Sequence, residues 1–227
     1  MKSMNALVKV LVSGLVQVLS IAVLLFVPAG TVDYWQAWVF LTVFALSAWV
    51  PSIYLQLTNP AALQRRLRGG PTEEARPAQK IIMAGLYFSL AAMCVTSALD
   101  HRFGWSTMPP ALCVIGSALV AIGLSLVVTV VTQNHYASTT VRVEQGQSVV
   151  STGLYRLVRH PMYTANVVML VGIPFALGSY WALVLVLPGL AVLAWRIRDE
   201  EKLLEVELAG YRDYTAKVRY RLVPCVW

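Results

Sequence analysis

The sequence predicts an all-α integral membrane protein of about six transmembrane helices, the last two a tight hairpin, with a polar cytosolic cap and a C-terminal amphipathic helix. Three observations carry this expectation. The 227 residues are 58% hydrophobic and only 13% charged, with mean hydropathy +0.65, a balance no wetted globule carries. Six apolar stretches recur, at 6–28, 35–57, 80–99, 109–132, 161–177 and 181–197. Of the 18 Lys and Arg residues, 17 then fall on the side that holds both termini, and only Arg102 falls on the other. Cytoplasmic loops are the basic ones, so both termini are expected in the cytoplasm. One crossing more or fewer would move the basic tail across the bilayer and destroy the split.

Taken in order, the first stretch follows Lys2 and Lys9 as a secretory signal would, but its apolar run reaches Val27. A cleaved signal has an apolar core of about 7–15 residues, so this run reads as a retained helix. The second, third and fourth stretches meet the requirement of about 20 residues for a crossing. The loop at 58–79, with Gln64-Arg65-Arg66-Leu67-Arg68-Gly69-Gly70-Pro71, is basic and rich in helix breakers. It reads as an anchor to anionic headgroups, and membrane lipids account for the net charge of +7 without a nucleic-acid partner. Gly116, Ser117 and Gly123 on the fourth stretch permit close helix approach, within one chain or between two, so oligomeric state stays open.

A different texture begins at 133, which divides the chain into a membrane region, 1–132, and a core, 133–227. Gln133-Asn134-His135-Tyr136 is polar, 139–143 alternates as a strand does, and Ser151-Thr152-Gly153-Leu154-Tyr155 has turn character. This segment is expected to cap one membrane face. The last two stretches are short, about 25 Å for 17 residues at 1.5 Å each, and only Gly178-Ser179-Tyr180 separates them. Cys94, Cys113 and Cys225 form no CxxC pair, so no disulfide frame and no metal site is indicated. No GxGxxG occurs, leaving a Rossmann-type domain unsupported.

Chemistry is expected where the cap re-enters the bilayer. Pro161 suits the first turn of a helix, which puts His160 at the N-cap and Arg159 before it. A helix N-terminus beside Arg and His is an anion seat; the plainer alternative is that Arg159 snorkels to headgroups and His160 only caps. At the far end of the hairpin, 196–208 reads as one helix leaving the membrane. Ile197, Glu201, Leu204 and Leu208 share its apolar stripe, so Glu201 faces inward and needs a partner. Glu200, Glu205 and Glu207 read as solvated, pairing along the helix with Lys202 or Arg198. Tyr211, Tyr214, Arg219, Tyr220 and Arg221 supply interfacial side chains with no individual role assigned. An acid for an ammonium, a cationic helix end for a carboxylate and aromatic surface for a flat ring suit an amino acid joined to a nucleoside, among many zwitterions.

Thr152-Gly153-Leu154-Tyr155, then Arg159-His160-Pro161-Met162-Tyr163, an apolar hairpin, Glu200-Glu201-Lys202-Leu203-Leu204 and Tyr211 with Tyr214 together resemble the signature of the isoprenylcysteine carboxyl methyltransferase family and its phospholipid methyltransferase relatives. The resemblance covers roughly 130–224 in the expected order. It departs where the family often has Phe-Gly after the paired glutamates, since this chain has Leu208-Ala209-Gly210. It implies a small helical fold with S-adenosyl-L-methionine in a cytosolic pocket and a lipid or lipid-modified substrate entering between helices. It further implies that His160, Tyr163, Gly153, Leu154, Tyr155, Glu200 and Glu201 hold the cofactor, with Glu201 on its amino group, and that Glu201 and Arg159 serve the reaction. A prenylcysteine carboxylate is the first acceptor expected. A phospholipid amine, which must lose a proton to Glu200, Glu201 or His135, or a small thiol is the alternative. An NADPH-dependent membrane reductase and a non-enzymatic scaffold are the readings from other classes.

Overall fold

The structure, a computed structural model, describes residues 2–58, 76–134, 136–137 and 140–227. Most of the basic loop expected at 58–79, and His135, lie outside them. Helix α1 spans Lys2–Ala29, α2 Trp35–Thr58, α3 Pro77–Phe103 and α4 Pro110–Gln133. A 3-10 turn at Gly153–Arg156 leads to α5, Pro161–Ala176; a second 3-10 segment, Trp181–Leu185, runs into α6, Val186–Glu207, and α7 covers Tyr211–Lys217.

Proline starts three of these helices. Pro77, Pro110 and Pro161 occupy the first turn, where the missing N–H leaves no hydrogen bond unmade. Gly104 ends α3 in the left-handed region at φ 64°, its N–H returning to the Asp100 carbonyl. Among the described residues five helices are long and apolar enough to cross a membrane, and α5, with 16 residues, is a shorter apolar helix. At 1.5 Å per residue α5 reaches about 24 Å, against a hydrocarbon core of about 30 Å. The all-α membrane class therefore stands, with five helices of crossing length where about six crossings were expected, α5 falling short of that length. The strand-like alternation expected at 139–143 forms no strand among the described residues; 141–144 is irregular and follows the cap. Thr140 and Val141 are both buried there and Val143 half-buried, so the segment packs on the core without the alternate burial of a strand.

The helices turn large apolar side chains outward, among them Val16, Val23, Phe88 and Leu187, as a lipid-facing surface must. Leu25, Tyr34, Phe40, Met93, Val120, Ile173 and Leu177 form the shared interior. The hairpin helices α5 and α6 are joined by a short turn, yet α5 packs most extensively on α4. Glycine makes that possible: a Cβ on Gly116 would lie 2.2 Å from the Ala176 nitrogen, and one on Gly123 2.9 Å from the Ala165 carbonyl. The small residues of the fourth stretch thus serve packing within the chain.

At the end of the bundle remote from the cap, the hairpin turn is bolted to α3. Asp100, 1% exposed, accepts hydrogen bonds from the Ser106 N–H and hydroxyl, each 2.7 Å, and from the Ser179 hydroxyl. Tyr34 donates to the Leu177 carbonyl at 2.7 Å. Fixing the turn fixes the inclination of α5 and α6, and hence where their other ends meet.

Candidate functional site

Those other ends meet beneath the cap. His160 is the N-cap of α5, Pro161 follows at its first position, and α6 brings Glu200 and Glu201 alongside. On the α6 stripe Ile197 is fully buried and Glu201 is 5% exposed, while Glu205 and Glu207 are exposed. Helical periodicity alone accounts for this division.

Glu201 is spoken for on both oxygens. Its Oε1 meets Arg159 Nη1 at 3.1 Å and His160 Nε2 at 3.2 Å, and its Oε2 accepts from Arg221 Nε at 2.8 Å. The Arg159 and Glu201 side chains are 9% and 6% exposed, so this is a buried ionic knot. The imidazole at 160 and the acid at 201 touch each other directly. The backbone completes the knot: the Arg159 and His160 N–H groups donate to the Tyr220 and Arg221 carbonyls, both at 2.9 Å, and Thr164 Oγ1 donates to the Leu222 carbonyl at 2.8 Å. Residues 219–227 therefore strap the N-terminus of α5, with Arg221 stacked over Trp227 at 5.3 Å.

Beside the knot opens a cleft of about 810 Å³, counted together with the open solvent at its mouth. Arg159, His160, Tyr163, Tyr155 and Glu200 line it, joined by Asn134, Met162, Tyr211 and Tyr214. Glu201, Gly153 and Leu154 do not. Gly153 stands behind the wall at φ +59°, where a Cβ would lie 2.4 Å from Gln133 Oε1, and that same oxygen accepts the Leu154 N–H at 2.9 Å. The end of α4 thus clips the 3-10 turn in place. Tyr155 is then held from two sides, by Asn134 Nδ2 on its hydroxyl at 3.1 Å and by the Tyr214 hydroxyl on its carbonyl at 2.7 Å.

Glu200, expected to be solvated and paired with Lys202 or Arg198, instead accepts a hydrogen bond from the Tyr163 hydroxyl and faces the cleft. The hairpin brings Tyr163 within reach at a range no helical spacing encodes. Tyr163 in turn accepts from Arg196 Nε at 2.8 Å, and the Arg196 guanidinium lies 5.7 Å from its ring centre. Arg196 had no place in the sequence reading beyond the charge split. Its spacing of four from Glu200, and the expense of a cation so close to hydrocarbon, were the available signals.

Two buried polar atoms on the cleft wall, Arg159 Nε and the Tyr211 hydroxyl, have no hydrogen-bond partner among the described residues. Such atoms are costly unless something satisfies them. Burial raises the phenols of Tyr155, Tyr211 and Tyr214 above the usual tyrosine range, so all three remain hydrogen-bond donors at neutral pH.

Residues 112–208 match the family model described as phospholipid methyltransferase. The matched stretch runs from α4 through the cap and α5 to the end of α6, so it contains the motif residues from Thr152 to Leu204 and stops short of Tyr211 and Tyr214. It supports a methyltransferase acting on a lipid-related substrate. No curated protein matches the chain.

Proposed function

We propose that the protein is an S-adenosylmethionine-dependent methyltransferase whose acceptor is carried in the bilayer, a prenylcysteine carboxylate in the first instance and a phospholipid amine in the second. The observation that carries this reading is the pair of unsatisfied polar atoms, Arg159 Nε and the Tyr211 hydroxyl, on a cleft whose acidic wall is Glu200. A cationic N–H donor, a carboxylate and a set of phenol rings are the complements of a carboxylate, an ammonium and a flat base. The residues present fit that donor. When bound, it supplies a methyl group on a sulfonium, an electrophile that needs no metal.

The residues do the rest. Arg159 is fixed through Nη1 on Glu201, which leaves Nε free to meet an anion in the cleft. Glu201 is the pivot of the knot and Glu200 is the carboxylate offered to a cation. Tyr155, held at both ends, and Tyr211 and Tyr214 form an aromatic wall that keeps water from the reacting groups. A carboxylate acceptor arrives ready to attack, and positioning suffices. An amine acceptor arrives protonated, and Glu200 is the cleft residue able to take its proton. The basic side of the bundle, which carries the cap, is assigned to the cytoplasm from the charge split.

Calorimetric titration with S-adenosylhomocysteine tests the donor site. Binding to the wild type, weakened by Tyr211→Phe and by Glu200→Gln, is expected; a protein that takes up no ligand removes the reading. Incubation with methyl-labelled donor and native lipid extract then sorts the acceptor. Base-labile label on a prenylated peptide identifies the ester, and label in a phospholipid headgroup identifies the amine.

A further inference from the structure

Among the buried groups left unused by that mechanism, Arg196 is the one whose surroundings demand an explanation. It is 4% exposed, on the helix of the last crossing, where a guanidinium costs several kcal/mol unless it is engaged. Its Nε donates to the Tyr163 hydroxyl at 2.8 Å, its Nη1 approaches Met83 Sδ at 2.5 Å, and its Cζ lies 5.7 Å from the Tyr163 ring centre. The Tyr163 hydroxyl, having accepted from a cation, donates onward to Glu200 Oε2. A hydroxyl polarised by a charged donor is a stronger donor itself, so the two bonds reinforce each other.

The neighbouring anchor has the same sense. Arg76 pairs with Asp199 at 2.9 Å, and Gln79 Nε2 reaches the same carboxylate, tying α3 to α6 one residue before Glu200. The backbone is held by Asp199 and the carboxylate plane by Tyr163. Glu200 Oε1 is left without a hydrogen-bond partner among the described residues, on an acid that lines the cleft.

We infer that Arg196 is a positioning residue, which acts through the Tyr163 hydroxyl to hold the Glu200 carboxylate at the cleft wall in one orientation. The inference rests on the cleft being the donor site for its effect on binding, and stands apart from it for the coupling itself. Its test is a set of variants, Arg196→Met, Glu200→Gln and the pair combined, each made again with Tyr163→Phe. Phenylalanine retains the ring, its packing and its contact with the guanidinium, and removes only the hydroxyl.

Thermal unfolding in detergent reads the coupling without any ligand. With Tyr163 present, the combined variant should lose less in Tm than the two single losses added; with Tyr163→Phe, the losses should add. Additive losses with the hydroxyl in place, or coupling that persists without it, overturn the inference. Titration with S-adenosylhomocysteine reads the consequence. Tyr163→Phe should weaken binding about ten-fold, the worth of a hydrogen bond to a charged group, and adding Arg196→Met should weaken it no further. Binding that falls again on adding Arg196→Met also overturns the inference. A wild type that binds no S-adenosylhomocysteine removes the methyltransferase reading instead, and the unfolding data alone then decide the relay.

Discussion

Replacing Glu201 by glutamine should cost stability before it costs chemistry. Glu201 is 5% exposed and sits between Arg159, His160 and Arg221. Glutamine keeps the shape and one acceptor oxygen but leaves the Arg159 guanidinium, 9% exposed, without a counter-charge. Breaking a buried ion pair on one side costs about 3–5 kcal/mol. Arg221 adds little to this, because its side chain is 31% exposed and solvent screens the pair. The retained acceptor places the loss near the lower bound, about 3 kcal/mol. At about 2–4 °C per kcal/mol for a chain of this size, Tm should fall by about 6–12 °C. Unfolding in detergent at fixed scan rate and pH measures it, with Glu200→Gln as the companion whose effect should appear in ligand affinity. An unchanged Tm together with lost S-adenosylhomocysteine binding would refute the reasoning, since it would make Glu201 a ligand contact and the knot dispensable.

Gly153→Ala should destabilise by about 1–3 kcal/mol through its positive φ, and Gln133→Ala, which removes the clash together with the acceptor of the Leu154 N–H, should not restore the lost Tm. Gly116→Val drives a side chain into the backbone of α5 at 2.2 Å, so folded yield in detergent should collapse while Gly104→Val, with nothing within 4 Å, is penalised only through its φ. Tyrosines in the unfolded chain ionise near pH 10, whereas burial keeps Tyr155, Tyr211 and Tyr214 protonated beyond it. Unfolding then releases protons, and stability should decline as pH rises past about 10; substituting all three with phenylalanine should flatten that alkaline limb in pH-dependent melts.

What the sequence made legible was whatever lies along one helix. Pro161 marked the start of α5 and His160 its cap, and the four-three-four spacing from Ile197 turned Glu201 inward while leaving Glu205 and Glu207 outside. Relations between segments were legible only in part. Convergence of the hairpin ends followed from its short turn, yet the contact it produces is His160 on Glu201 at 3.2 Å, with no space for a solute between them. Nothing in the spacing of 163 and 200 announces a hydrogen bond, and nothing in Gly116 and Gly123 tells whether their complement is a neighbouring helix or a second chain. The strand-like run at 139–143 misled because burial there follows no alternation: the adjacent Thr140 and Val141 are both buried, and 141–144 lies on the helical core as an irregular segment. Arg196 was hidden in plain charge counting: it belongs to the basic side of the bundle, where a buried cation looks like an exposed one.

The strap formed by 219–227 bears on the order in which this protein can be made. Translation inserts α5 and α6 first, and for the time taken to add the next stretch the Arg159 and His160 amides lack the carbonyls of Tyr220 and Arg221 that later receive them. Until those residues leave the ribosome, the ionic knot also lacks Arg221. Completion of the ionic knot is thereby deferred to a late step of biogenesis, and the nascent hairpin waits in the bilayer with its α5 N-terminus unstrapped.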